Sequence, residues 1–251
     1  MRDRVLQELR RIEPQHDVRI LLAVESGSRA WGFASPDSDY DVRFIYAHRP
    51  DWYLSVFEVR DVIEEMLPDR LDVNGWELRK ALRLFSKCNL PLNEWLGSPI
   101  TYSEVPEFRR QLLNLMPQYF NAIAAIYHYR NLADRTFSEH LVDDHISIKK
   151  IFYVLRPLLA CRWVDRTGSQ PPTEFQELLR ADGIAADERH WIQQLLEQKS
   201  TAAEAHLIQL DHHRIDSIRS QLLRYKTAET FIQAPERKPA VELNAVLREW
   251  I

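Results

Sequence analysis

Asp39 and Asp41 stand two residues apart at the head of an apolar run, Val42 to Ala47, and a second apolar run, Val18 to Val24, precedes the loop that leads to them. Both runs suit buried strands. Side chains alternate across a strand, so Asp39 and Asp41 face the same way. Like charges held that close raise one another's pKa or recruit a cation, and Mg²⁺, a hard ion that wants oxygen ligands, is the usual one. Gly27 and Ser28 lie where the first strand ends. A glycine there lets the backbone come near a ligand, and neighbouring N–H groups can form an anion nest that suits phosphate. A phosphate cradle followed after about ten residues by Asp-x-Asp is the local grammar of metal-dependent phosphoryl or nucleotidyl transfer.

The surrounding pattern places these residues in a mixed domain. Val5, Leu6, Leu9 and Ile12 recur at helical spacing, which predicts a helix over 3–13 packed on a sheet. Asp61–Met66 and Leu71–Val73 are further strand candidates joined by a turn at Pro68. Asp72 points opposite to Leu71 and Val73. Trp52, Tyr53 and Leu54 restart an apolar segment, whose aromatics read as core rather than as a base-stacking platform. From Trp76 an amphipathic helix carries Leu78, Leu82 and Phe85; Asn89–Ile100 breaks it, and Ile100–Tyr102 is extended.

Beyond Ser103 strand signals give way to helical periodicity, which sets an expected boundary between domains at 1–103 and 104–251. In the helix expected over His145–Asp165, Ile148, Ile151, Phe152, Leu155, Leu158, Leu159 and Trp163 form the apolar stripe. Lys149, Tyr153 and Arg156, with Lys150 beside them, line one side of it. Pro157 predicts a kink. His212 and His213 read as part of a surface helix, and residues 234–239 as an extended linker to a final short helix.

A formal charge of −4 gives the chain no global basic field, so a nucleic-acid partner would need a local patch. Six glycines argue against a loop-rich all-β fold. Cys88 and Cys161 sit in apolar surroundings without metal-ligand spacing and read as free buried thiols. No apolar run approaches the roughly 18 residues of a membrane span, and the expected location is cytoplasmic.

The residues Gly27, Ser28, Asp39 and Asp41 match, position by position, the signature of the DNA polymerase beta nucleotidyltransferase superfamily: Gly-Ser, a spacer, then Asp-x-Asp on a strand. The whole run from Gly27 to Tyr46 more closely resembles the RNA-ligase-associated (RlaP-type, YcgL-like) nucleotidyltransferases. The run Ile148 to Ala160 resembles that family's second motif. An acidic run behind Pro36 also describes a solvated turn, but the extended match favours the site.

The resemblance implies an α+β fold: a small mixed sheet with helices on one face carrying the site, then an all-helical domain closing a cleft. It implies transfer of a nucleoside monophosphate from an NTP to a hydroxyl, with the acceptor (an RNA end, a protein or a metabolite) and the oligomeric state left open. In that superfamily a third carboxylate on a neighbouring strand completes the metal site. Asp72 resembles it. Glu77 is its rival, but it falls where a helix begins and has an independent dipole role there. Asp39, Asp41 and Asp72 would thus hold two Mg²⁺ ions, for which Mn²⁺ could substitute. Gly27, Ser28 and Arg29, with Lys149, Lys150, Tyr153 and Arg156 of the helical domain, would bind the nucleotide. The alternative is a non-catalytic nucleotide-binding or antitoxin-like protein that keeps the fold.

Overall fold

The computed structural model describes residues 1–57, 59–201, 206–226 and 240–251. The chain forms two compact units. Met1–Ala30, Asp39–Tyr119 and the last helix make the first, while Trp31–Ser38 belongs with the helices that follow Phe120 in the second.

In the first unit, α1 (Arg2–His16) and β1 (Val18–Glu25) are joined through Asp17, whose left-handed backbone ends the helix. A short helix α2 (Gly27–Trp31) starts in the loop, followed by β2 (Tyr40–His48), β3 (Val62–Leu67) and β4 (Leu71–Glu77). Helices α3 (Leu78–Phe85) and α4 (Leu90–Leu96), strand β5 (Thr101–Glu104), α5 (Pro106–Tyr119) and the C-terminal helix (Val241–Trp250) complete it. The sheet order is β3-β4-β2-β1-β5. Only β2 and β4 pair in parallel; the other neighbours are antiparallel, so the sheet is mixed as the sequence implies.

Alternation along β2 and β4 divides the core. Val42, Phe44, Tyr46, Leu71 and Val73 bury one face against Val5, Leu9 and Ile12 of α1. Ile45 and Ala47 bury the other against Leu78, Leu82, Phe108, Leu112, Leu243 and Val246. Helices therefore cover both faces rather than the one expected. Helix α5 lies beyond the expected boundary at 103 yet is part of this unit, because Phe108 and Leu112 are fully buried in the sheet's second core and Arg109 donates to the carbonyls of Leu96 and Ser98. Gly75 faces Phe44 across the β2–β4 ladder. A Cβ there would lie 2.2 Å from the ring, so only glycine lets the parallel pair close. Pro50–Leu54 is a 3-10 turn with no buried residue; Trp52 and Tyr53 are only half-buried, with the Trp52 ring stacked on His48 at 4.2 Å, which corrects the expectation of core packing.

The second unit is organised on α7 (Ile148–Thr167). Around it lie α6 (Ala122–His140), α8 (Phe175–Arg180), α9 (Ala186–Thr201) and α10 (His212–Arg224). The expected stripe of Ile148, Ile151, Phe152, Leu155, Leu158 and Leu159 is buried. So are Val154, Ala160, Cys161 and Val164, because other elements pack around the helix. It starts later than expected: Ser147 caps it, accepting from the N–H of Lys150, and His145–Ser147 is instead strand β6, paired with β7 (Leu207–Gln209). This ribbon departs from an all-helical unit. Strands of three residues are too short to show alternation, and it forms because Ile146 is fully buried in the unit's core opposite Ile208.

Segment 31–38 is built into this unit. Phe33 packs on Phe152 and Phe175 with ring centroids 5.1 and 5.4 Å apart, and the buried ammonium of Lys199 donates to Ser35 Oγ at 2.6 Å. Cys88 and Cys161 are free and buried as expected, and burial pushes the Cys161 thiol well up. His212 and His213 lie exposed at the start of α10. The linker expected at 234–239 lies outside the described residues. Among the described residues no helix is long and apolar enough to cross a membrane.

Candidate active site

The parallel pairing of β2 and β4 sets Asp41 directly beside Asp72. Both alternate with buried apolar residues, so both carboxylates lie on the face opposite α1. Between them stands Arg43. Its Nη2 donates to Asp41 Oδ1 at 2.9 Å and to Asp72 Oδ2 at 2.7 Å, and its Nη1 donates to the carbonyls of Val42 and Asp72 at 3.1 and 3.2 Å. Arg43 is passed over by the motif. A cation two residues after Asp41, inside an otherwise apolar strand, was the available signal.

Gly27 has φ +60°. A Cβ on it would lie 2.1 Å from Asp41 Oδ2, so the glycine expected to let a ligand approach admits the Asp41 carboxylate itself. Ser28 is buried in the short helix α2, where a loop had been expected. Arg29 lies over the Tyr40 ring at 3.7 Å and its Nε donates to the Asp39 carbonyl at 3.0 Å, which ties the loop to the mouth of β2. Asp39 is exposed and precedes the strand.

Glu25, also passed over, is fully buried at the end of β1. Its carboxylate accepts the N–H of Asp41 at 2.8 Å and the hydroxyl of Tyr102, and its carbonyl accepts from Ser98 Oγ at 2.6 Å. Ser26 donates to the Asp41 carbonyl at 2.8 Å. Burial pushes the Glu25 carboxyl above its ordinary value, against the pull of the Tyr102 and Asp41 hydrogen bonds. Glu25 therefore clamps the backbone of Asp41 from beneath.

Glu77 has a structural place. It is 1% exposed and accepts the N–H groups of Arg79 and Lys80 at 2.7 and 3.1 Å, capping α3. Glu77→Ala is expected to lower the unfolding free energy by about 1–2 kcal/mol, read from urea denaturation. Asp72→Ala should cost about 1 kcal/mol or less, since it removes a partly exposed ion pair and leaves Arg43 its bond to Asp41. Equal losses would undo this division of roles.

The residues of α7 expected to bind nucleotide belong to the second unit. Lys149, Lys150 and Tyr153 are half-buried, with the Lys150 ammonium 6.0 Å from the Tyr153 ring. Tyr153 meets Trp31 edge-on at 5.4 Å. Arg156 is 3% exposed, lies over the Trp31 ring at 4.3 Å and donates to the Thr173 carbonyl at 3.4 Å. Such a guanidinium offers little surface to a triphosphate and is placed to hold Trp31. Arg156→Ala is therefore expected to destabilise the protein by about 1–3 kcal/mol; an unchanged denaturation midpoint would show that the stack carries no weight.

Asp41 and Asp72 present hard oxygen donors that converge on one positive charge, the chemistry a Mg²⁺ ion requires. Among the described residues, no three His, Cys, Asp or Glu side chains are gathered as a metal-binding group. The two carboxylates fit a divalent ion, for which Asp39 at the mouth of β2 and ligand oxygens would supply further donors.

A family model described as the RNA repair pathway DNA polymerase beta family matches residues 1–249. The chain is 44% identical over 250 residues to the uncharacterized protein YcgL of Bacillus subtilis (strain 168), covering 98% of this chain and 95% of that one. Among solved structures, a nucleotidyltransferase-like protein from Exiguobacterium sibiricum 255-15 aligns over 98% of this chain and 89% of its own, at 13% identity and a TM-score of 0.32, a likeness too slight to carry weight. With the family model matched over residues 1–249, and with Asp41 set beside Asp72 by the sheet and against Gly27, the chain belongs to the RNA repair pathway DNA polymerase beta family.

Proposed function

We propose that this protein is a metal-dependent nucleotidyltransferase that moves a nucleoside monophosphate from an NTP to a hydroxyl, with an RNA end as the acceptor class to which the family description points. The observation that carries this reading is the register match of Asp41 with Asp72 on adjacent parallel strands, beside a left-handed glycine. Two carboxylates fixed by a ladder hold their spacing without relying on a flexible loop.

Asp41 and Asp72 would hold Mg²⁺, or Mn²⁺ in its place, with Asp39 as the third ligand. When bound, two such ions would polarise the phosphoryl oxygens and ease loss of the proton from the attacking hydroxyl. Glu25 and Ser26 fix the backbone on which Asp41 stands. Gly27 and Ser28 would offer N–H groups to the phosphates, and Arg29, anchored on Tyr40, would face their charge. Asp72 would also accept the hydroxyl proton.

The test is transfer of label from each α-labelled NTP to an RNA oligonucleotide, a protein acceptor and small hydroxyl compounds, with and without Mg²⁺. Metal-dependent transfer by the wild type, lost in Asp72→Ala, supports the reading. Tight, metal-dependent NTP binding with no transfer to any acceptor would replace it with the non-catalytic alternative.

A further inference from the structure

We propose that Arg43 is a built-in counter-ion that holds Asp41 and Asp72 together in the metal-free protein and competes with a divalent cation for them, so that the cation is taken up with the nucleotide rather than alone. The inference rests on the metal-dependent reading of this site.

Four hydrogen bonds fix the guanidinium, two to the carboxylates and two to backbone carbonyls, and its side chain is only 18% exposed. A Mg²⁺ ion would be held by the carboxylates of Asp41 and Asp72, which are hard oxygen donors. Arg43 Nη2 stands 2.9 Å from Asp41 Oδ1 and 2.7 Å from Asp72 Oδ2, so it and a divalent ion would compete for the same two carboxylates. One must yield. A bare ion gains two carboxylates at the cost of the charge-assisted bonds they already make and of its own hydration. An ion that arrives on a triphosphate brings negative charge with it, which meets the positive charge of Arg43 and offers it new acceptors. Arg43 therefore acts through the carboxylates as a positioning residue.

The experiment measures Mn²⁺ binding to the full chain by the loss of the free-ion EPR signal, without nucleotide and with a non-hydrolysable ATP analogue. Arg43→Gln is expected to bind Mn²⁺ alone roughly tenfold or more tightly than the wild type, and Asp41→Asn added to it should erase that gain. With the analogue present, the gap between wild type and Arg43→Gln should narrow. If Arg43→Gln binds Mn²⁺ no more tightly than the wild type, while the wild type shows Asp41-dependent Mn²⁺ binding with the analogue, the counter-ion proposal falls and the metal-dependent reading stands. If Mn²⁺ binding never depends on Asp41, both fall.

A measurement on the unaltered chain guards against misfolding of the variant. The Arg43 side-chain ¹⁵Nε resonance should stay in place with Mg²⁺ alone and move when Mg²⁺ and the analogue are added together. A resonance that moves equally with Mg²⁺ alone, or with neither, overturns the proposal.

Discussion

Asp41→Asn is expected to reduce nucleotidyl transfer by roughly 10²–10³-fold or more while the denaturation midpoint hardly moves. The side chain keeps its shape and its place in the β2–β4 register, so the loss is one of charge at a position fixed by the ladder. The sequence alone argues for a slight gain in stability, since Asp39 and Asp41 carry like charges two residues apart. Arg43 adds an opposing effect: it bonds Asp41 as well as Asp72, so the substitution also gives up an attraction. Because the Asp41 side chain is 28% exposed, the cost should stay within about 1 kcal/mol. Turnover and urea denaturation, measured on one preparation, check both halves. Transfer at the wild-type rate would remove Asp41 from the site. Asp39→Asn should lower transfer as well, with still less effect on stability, because Asp39 is exposed and precedes the strand.

Gly27→Ala is the substitution expected to damage fold and site together. The backbone there has φ +60°, which costs a non-glycine residue roughly 1–2 kcal/mol. The added methyl would also lie 2.1 Å from Asp41 Oδ2, so the carboxylate must move out of its contact with Arg43. The combined expectation is a loss of about 2–4 kcal/mol in unfolding free energy and of at least as much transfer as in Asp41→Asn. Gly32→Ala is the control. Gly32 also has a positive φ, +84°, but nothing lies within 4 Å of its Cβ position, so backbone strain should appear without loss of the site. If Gly27→Ala and Gly32→Ala lose transfer equally, the contact with Asp41 is not what demands glycine at residue 27.

What the sequence by itself determined is whatever local periodicity and local chemistry can encode. The burial of β1, the apolar stripes of α1 and α7, and the solvent exposure of α10's first turn all follow from spacing within one element. Asp72 could be separated from Glu77 because alternation on a strand and capping of a helix are short-range rules, and the structure places Glu77 as the cap of α3. Other features depend on which elements meet, and no window of sequence contains both partners. The sheet pairs β2 with β4 in parallel, and only that register puts Arg43 between Asp41 and Asp72. Glu25 is only the charged residue that follows the apolar run Val18–Val24 until Tyr102, far along the chain, supplies its hydroxyl partner. Arg156 reads as one face of a basic helix until Trp31 covers it. The expected boundary at 103 marked a change of periodicity, whereas the units divide by burial: α5 and the C-terminal helix cover the sheet, and residues 31–38 insert Phe33 and Ser35 among helices. Apolar area is buried wherever complementary surfaces fit, at whatever separation along the chain, and that is why the tertiary structure alone decided these contacts.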